Sequence, residues 1–240
     1  MKINKEDIIC IIPARGGSKG LPRKNVKLIN NEPLIVRPIR QAIESNVIGT
    51  ILVTTDDEEI ANLAKAAGAI VPFVRPADLA EDLTTTEDTL RHALITYEEM
   101  IGKKFELAIF LTATDIFRNP SWIVQGVKKI VDNPNLESVF AGYATHKNFW
   151  EQKEDGSWER LKGWMKNYSS RQIRKQIIRE DTGLMSISRA WLWREGRRIG
   201  DKVDIIVNHE SLTSIDIHSE EDLILANFAI NLKKKINRLK

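Results

Sequence analysis

Two rhythms of apolar residues alternate over the first 145 positions. Short unbroken apolar runs at 8–12, 51–54, 70–73, 107–111 and 138–142 read as strands buried on both faces. Between them, apolar positions recur at helical spacing. The segment 33–45 places Leu34, Ile35, Ile39, Ala42 and Ile43 on one side, with Pro38 expected to kink the helix or delay its start. Asp56 or Asp57 can cap a helix ending at Gly68, Thr86 can cap one over 87–100, and Pro120 with Ser121 opens one that reaches Asp132. Strands separated by helices of this length predict right-handed crossovers and a mostly parallel sheet in an α/β fold.

The rhythm breaks after Tyr143. The stretch "NFWEQKEDGSWERLKGW" holds Trp150, Trp158 and Trp164 around a turn at Asp155-Gly156. It reads as a hairpin or arm, and its aromatics serve either a partner surface or a small satellite core. The strand–helix pattern resumes with a strand at 183–187, a helix from Arg189, a strand at 203–207 and a final helix. Ser219 and Asp222 stand at capping-box spacing at the start of that helix, and Lys233–Lys235 suit its C-terminal dipole. The whole of 1–240 is expected to be one domain, with 143–179 as an arm.

Composition narrows the classes. Of 240 residues, 42% are hydrophobic and 29% charged, as in an ordinary globular chain, and the net charge of +3 argues against broad nucleic-acid binding. No apolar run approaches the length of a membrane span. Cys10 is the single cysteine, which excludes an intrachain disulfide and fits a cytoplasmic setting.

The stretch "IIPARGGSKGLPRKN", residues 11–25, carries the chemistry. Gly16, Gly17 and Gly20 follow the first strand, with Arg15, Lys19, Arg23 and Lys24 around them. Bare backbone N–H groups beside cations bind phosphate. The spacing is neither the Walker pattern G-x-x-x-x-G-K-[ST] nor the dinucleotide pattern G-x-G-x-x-G.

This stretch resembles the N-terminal signature of the acylneuraminate cytidylyltransferases, the CMP-sialic acid synthetase family. The resemblance continues through "ILVTTDDEEIANLAKAAGAIVPFVRPADLAEDLTTTEDTLRHAL" at 51–94 and returns in "TSIDIHSEEDLILA" at 213–226. It implies a Rossmann-like nucleotidyltransferase with a projecting dimerisation arm, and a homodimer. The implied reaction moves CMP from CTP to a 2-keto-3-deoxy sugar acid, releases pyrophosphate and needs Mg²⁺ or Mn²⁺. CTP and a small acidic sugar are the implied partners, with no nucleic acid and no membrane.

Match to the family's loop implies nucleotide contacts from Ala14, Arg15, Gly16, Gly17, Ser18, Lys19, Lys24 and Asn25, with Arg15 and Lys19 on the triphosphate. Arg75 of "RPADLA" and Thr86 match nucleotide-site positions, although Arg75 could instead pair with Asp78 and Thr86 could cap its helix. Acceptor contacts are implied at Thr112, Thr114, Arg171, Gln172, Thr182 and Gly183, and a metal carboxylate at Asp216.

The chain departs from the family in three places. "LTATDIFRN" at 111–119 stands where the family reads L-Q-P-T-S-P-L-R, so Thr112 replaces glutamine and Asp115 replaces serine. "EDTGLMSIS" at 180–188 keeps Gly183 but has Thr182 for asparagine. His218 replaces the second aspartate of "SIDID". A neutral imidazole is a poor Mg²⁺ ligand, so Asp115 could restore the missing charge opposite Asp216, or else cap the turn that follows it. The first two departures leave the acceptor open among sialic, legionaminic, pseudaminic and other 3-deoxy-ulosonic acids. A nucleotidyltransferase using another NTP or a sugar 1-phosphate, or a non-catalytic nucleotide- or sugar-binding homologue, are the competing readings.

Overall fold

The computed structural model describes residues 3–238. In chain order the elements are β1 (Ile8–Pro13), a hairpin of β2 (Leu28–Ile29) and β3 (Glu32–Pro33), α1 (Val36–Ser45), β4 (Thr50–Thr54), α2 (Glu58–Ala66), α3 (Thr86–Ile101), β5 (Leu107–Phe110), α4 (Pro120–Asp132), β6 (Ser138–Thr145), β7 (Trp150–Gln152), β8 (Trp158–Arg160), β9 (Ile177–Glu180), β10 (Ser186–Arg189), α5 (Ala190–Arg194), β11 (Val203–Asn208) and α6 (Glu220–Arg238).

The central sheet runs β11-β6-β10-β5-β1-β4, with β9 also paired to β6. Five of these seven strands share one direction, while β9 and β10 run against it. The mostly parallel α/β sheet read from the sequence is therefore present. β1 shows why its run is continuously apolar: Ile8, Cys10 and Ile12 pack on one side with α1, α2, α4 and α6, and Ile9 and Ile11 pack on the other with α3 and α5. Alternate side chains enter opposite layers, so both registers must be apolar.

β9 and β10 line the same edge of β6, pairing with its C-terminal and N-terminal halves respectively. Between them residues 181–185 leave the ladder. That excursion carries Thr182 and Gly183 to the end of β5, where the Thr112 N–H donates to the Gly183 carbonyl at 3.0 Å.

Several local expectations are corrected. Thr85, not Thr86, caps α3, because its hydroxyl accepts from the Asp88 N–H at 3.1 Å. Residues 70–73 make one bridge, Ile70 to Leu52, rather than a strand. Pro38 sits in the first turn of α1, where a missing N–H costs nothing, so the helix starts late and does not kink. The arm forms its hairpin, β7 with β8, turning at Gly156 (φ 81°). Its tryptophans do not build a satellite core: Trp150 and Trp158 are exposed, and the Arg160 guanidinium stacks 4.2 Å from the Trp150 ring.

Candidate active site

The glycine-rich loop leaves β1 at the C-terminal edge of the parallel strands. The Ala14 N–H donates to the Thr54 carbonyl at 3.0 Å, extending the β1–β4 ladder by one bond. Buried Asn25 then holds the loop from below, its Nδ2 donating to the Arg15 carbonyl at 2.9 Å. None of Gly16, Gly17 and Gly20 adopts a positive φ; Gly16 and Gly20 serve close approach, while a Cβ on Gly17 would meet nothing within 4 Å. A Cβ on Gly16 would lie 2.8 Å from Asp57 Oδ2, and one on Gly20 would lie 2.6 Å from the His218 carbonyl oxygen. The Gly16 N–H donates to Asp56 Oδ1 at 2.9 Å. Among the described residues, the N–H groups of Gly17, Ser18 and Lys19 have no protein acceptor.

The basic side chains of the loop divide. Arg23, at φ 57°, ion-pairs with Asp57 and Glu59 and ties the loop to the start of α2, so it does not join the phosphate group of cations as expected. Arg15 and Lys19 converge on one carboxylate, Asp82, at 2.9 and 2.5 Å. Hydrogen bonds from Lys19 and Arg15 hold the Asp82 carboxyl below the usual range. Lys24 is half-buried. Burial lowers its pKa, opposed mainly by the charge of Asp216, with Arg15 repelling it and Asp115 attracting it.

A cavity of about 290 Å³ opens beside this loop, lined by Arg15, Ser18, Lys24, Asn25, Arg75, Asp82, Thr86, Thr112 and Thr114 among others. Arg75 does not pair with Asp78. Its Nε donates to Thr54 Oγ1 at 3.3 Å and its Nη2 to the Thr54 carbonyl, and burial pulls its pKa down to about 10. Freed from capping, Thr86 lines the cavity with Thr85 and Thr89.

A second, smaller pocket lies alongside. Asp115, Thr182, Gly183 and Asp216 line it, with Arg179, Asp181, Thr213 and Ser214. The Thr112 hydroxyl donates to Asp115 Oδ2 at 2.6 Å, and burial followed by the charge of Asp216 raises the Asp115 pKa. A Cβ on Gly183 would lie 2.1 Å from Asp115 Oδ2, so glycine is required there. Asp216 Oδ2 is 2.7 Å from His218 Nε2, while its Oδ1 is buried with no hydrogen-bond partner. Among the described residues no cluster of three or more His, Cys, Asp or Glu side chains forms a ready ligand set.

Arg118, to which no role was given in advance, weaves the two pockets together. It is buried and donates to the carbonyls of Thr112 (2.9 Å), Gly183 (2.8 Å) and Leu184 and to Gln41 Oε1 (2.8 Å). Arg171 lies elsewhere, in a basic cleft at the base of the arm with His146, Lys147 and Arg174, and Gln172 is exposed outside these pockets. The structure does not bring these two residues to the Thr112 cavity of their own chain.

Residues 9–155 match the family pattern described as "Cytidylyltransferase". The chain belongs to the cytidylyltransferase family. It is thus a nucleotidyltransferase enzyme, and the family resemblance carried by residues 11–25 is borne out. Among its relatives, the CMP-N,N'-diacetyllegionaminic acid synthase of Campylobacter jejuni is 33% identical over 95% of this chain and 96% of its own length. The pseudaminic acid cytidylyltransferase of the same species is 32% identical over 77% of this chain and 80% of its own. A solved CMP:2-keto-3-deoxy-manno-octonic acid synthetase, complexed with CTP, superposes with a TM-score of 0.67 at 14% identity, over 94% of this chain and 99% of that one, which shows the shared fold.

Proposed function

We propose that this chain transfers CMP from CTP to the anomeric hydroxyl of a nine-carbon 2-keto-3-deoxy sugar acid of the legionaminic or pseudaminic type. The observation that carries the reading is the cavity lined by Arg15 and Asp82, whose carboxylate also holds the exposed Lys19, beside a second pocket bearing Asp115 and Asp216. The acceptor hydroxyl oxygen forms a bond to the α-phosphorus and gives up its proton to solvent water, the bond from the α-phosphorus to the bridging oxygen breaks, and pyrophosphate leaves with its charge. Arg15, Lys19 and the free N–H groups of Gly17, Ser18 and Lys19 bind the departing phosphates, in the place where Asp82 now supplies the negative charge. Lys24 lies between the cavity and the carboxylates and neutralises the α-phosphoryl oxygens. Ala14, Gly16 and Asn25 shape the loop. Arg75 and Thr86 face the nucleotide. Thr112, Thr114, Thr182 and Gly183 line the acceptor side.

Asp115 and Asp216, which line one pocket, would hold the divalent cation. The buried, unpartnered Oδ1 of Asp216 is a hard oxygen donor, and Mg²⁺ takes one or two carboxylates and draws its other ligands from phosphate and water. When bound, Mg²⁺ or Mn²⁺ would neutralise charge on the triphosphate.

Arg171 and Gln172, which lie outside the Thr112 cavity of their own chain, would contact the acceptor in the site of a second copy. This supports a homodimer built on the arm, whose exposed Trp150, Trp158 and Tyr168 suit a partner surface. Among the described residues no helix is long and apolar enough to cross a membrane. The use of CTP favours a cytoplasmic location.

The test is pyrophosphate release from CTP, UTP, GTP and ATP, each with a panel of nonulosonic and octulosonic acids and Mg²⁺. Release from CTP with a legionaminic- or pseudaminic-type acid is expected. Release with a sugar 1-phosphate only, or CTP binding with no turnover across the panel, would overturn the reading.

A further inference from the structure

Helix α6 carries two apolar stripes where the fold uses one. Leu223, Ala226, Ala229 and Ile230 are buried, three of them in the main core cluster. On the outer side, Ile224 and Phe228 are each 65% exposed, Leu225 is 51% exposed, and Leu232 and Ile236 are 45% exposed. A surface helix of a lone protomer needs a single apolar face, so a second stripe of this length marks a contact surface.

The outer face is symmetric about its middle. Phe228 is four residues from both Ile224 and Leu232, and seven from both Glu221 and Lys235. The charges along α6 are also unevenly engaged. Glu220 pairs with Lys27 at 3.2 Å, Lys233 with Glu210 at 3.8 Å, and Lys234 donates to Asn30 Oδ1 at 2.9 Å. Among the described residues, no ion pair within the chain engages Glu221 or Lys235.

We infer that α6 packs antiparallel against α6 of a second copy of this chain, with Phe228 on the two-fold axis. In that register Ile224 meets the partner's Leu232, and Glu221 meets the partner's Lys235, twice by symmetry. The acidic first turn of each helix lies over the basic last turns of the other, and the helix dipoles oppose. A parallel pair would instead set Glu221 against its own copy and Lys235 against its own. The face is separate from the arm, so the two contacts together would build an assembly larger than a dimer. One helix pair covers less than the usual interface of about 1,600 Å², so micromolar dissociation is expected.

The test is the mass of the full chain by sedimentation and light scattering from low to high micromolar concentration, with circular dichroism to verify folding. Phe228→Asp should halve the weight-average mass at high concentration, whether it falls from tetramer to dimer or from dimer to monomer. Glu221→Lys and Lys235→Glu alone should each weaken association by roughly 3- to 10-fold, and the double variant should restore it. Phe228→Cys should give a disulfide-linked species of twice 27.4 kDa, since the only other cysteine, Cys10, is buried. An unchanged mass in Phe228→Asp would overturn the inference. So would a double charge reversal no better than the single ones, or a chain that binds anionic lipid vesicles through α6 and never self-associates.

Discussion

At the end of the crevice proposed to hold phosphate, Arg15 and Lys19 meet one carboxylate, Asp82, on a loop open to solvent. At the end proposed to hold the acceptor, Arg118 is buried and donates to four acceptors drawn from three parts of the chain. Both ends use arginine, for opposite purposes. An exposed ion pair contributes little and exchanges readily, so Asp82 can yield to a triphosphate. A buried guanidinium that supplies the donor to the Thr112 and Leu184 carbonyls and Gln41 Oε1 cannot be released without removing those bonds from a dry site. One end is built to change partner and the other to keep its shape.

The contrast is broken most severely by removing the buried arginine. Arg118→Met is expected to cost about 3–5 kcal/mol, because the Thr112 and Leu184 carbonyls and the Gln41 amide oxygen lose their Arg118 donor and the Gly183 carbonyl keeps only Thr112. Urea unfolding measures this, and a loss below about 1 kcal/mol would show that the two ends do not differ as described. Next comes Gly183→Ala. Its Cβ would sit 2.1 Å from Asp115 Oδ2, so Asp115 must move; turnover is expected to fall about 100-fold or more while the protein stays folded. Steady-state kinetics together with a melting curve check both parts.

At the phosphate end, Arg15→Ala and Lys19→Ala should each leave the melting temperature nearly unchanged. Each should cost about 1.5–3 kcal/mol of transition-state binding, roughly tenfold to more than a hundredfold in kcat/KM for CTP. Near-normal turnover in both would remove the phosphate assignment. Asp115→Asn and Asp216→Asn sharpen the join between the two ends. Both are expected to raise the Mg²⁺ concentration needed for half-maximal activity, Asp216→Asn more strongly, since its Oδ1 lacks any protein partner. If Asp115→Asn keeps the wild-type Mg²⁺ requirement, Asp115 is structural. The smallest effect belongs to Asp82→Asn. Removing a competing carboxylate should tighten CTP about 2- to 5-fold, by isothermal titration, and weaker binding would mean that Asp82 assists the nucleotide.

What the sequence disclosed follows the same division. The buried strands and the five longer helices, α1 to α4 and α6, were visible because apolar period and caps are local signals. The loop at 11–25 was visible because glycine and cation density is local too. The hairpin of β2 and β3 escaped notice because each strand has two residues. Its signal was the pair Asn30-Asn31, both with positive φ (49° and 64°), which suits a tight hairpin turn. Thr85 and Thr86 are adjacent identical residues, and only backbone geometry tells the cap from the cavity wall. Asp82 and Arg118 were missed as site builders because their partners are distant in sequence. Nothing near Asp82 indicates that it folds onto Arg15, and nothing near Arg118 indicates that it meets Leu184.

The close approach of Gly20 to the His218 carbonyl has a bearing on how the protein is made. The glycine-rich loop is synthesised long before the wall it rests against, which is almost the whole described chain away. The same span joins Lys27 to Glu220 and the Asn30 N–H to Asn227 Oδ1. A nascent chain therefore carries an unsupported loop until α6 has been released. Synthesis order itself delays the completed pocket, and a chain halted before residue 218 holds the cations of the site without the wall that positions them.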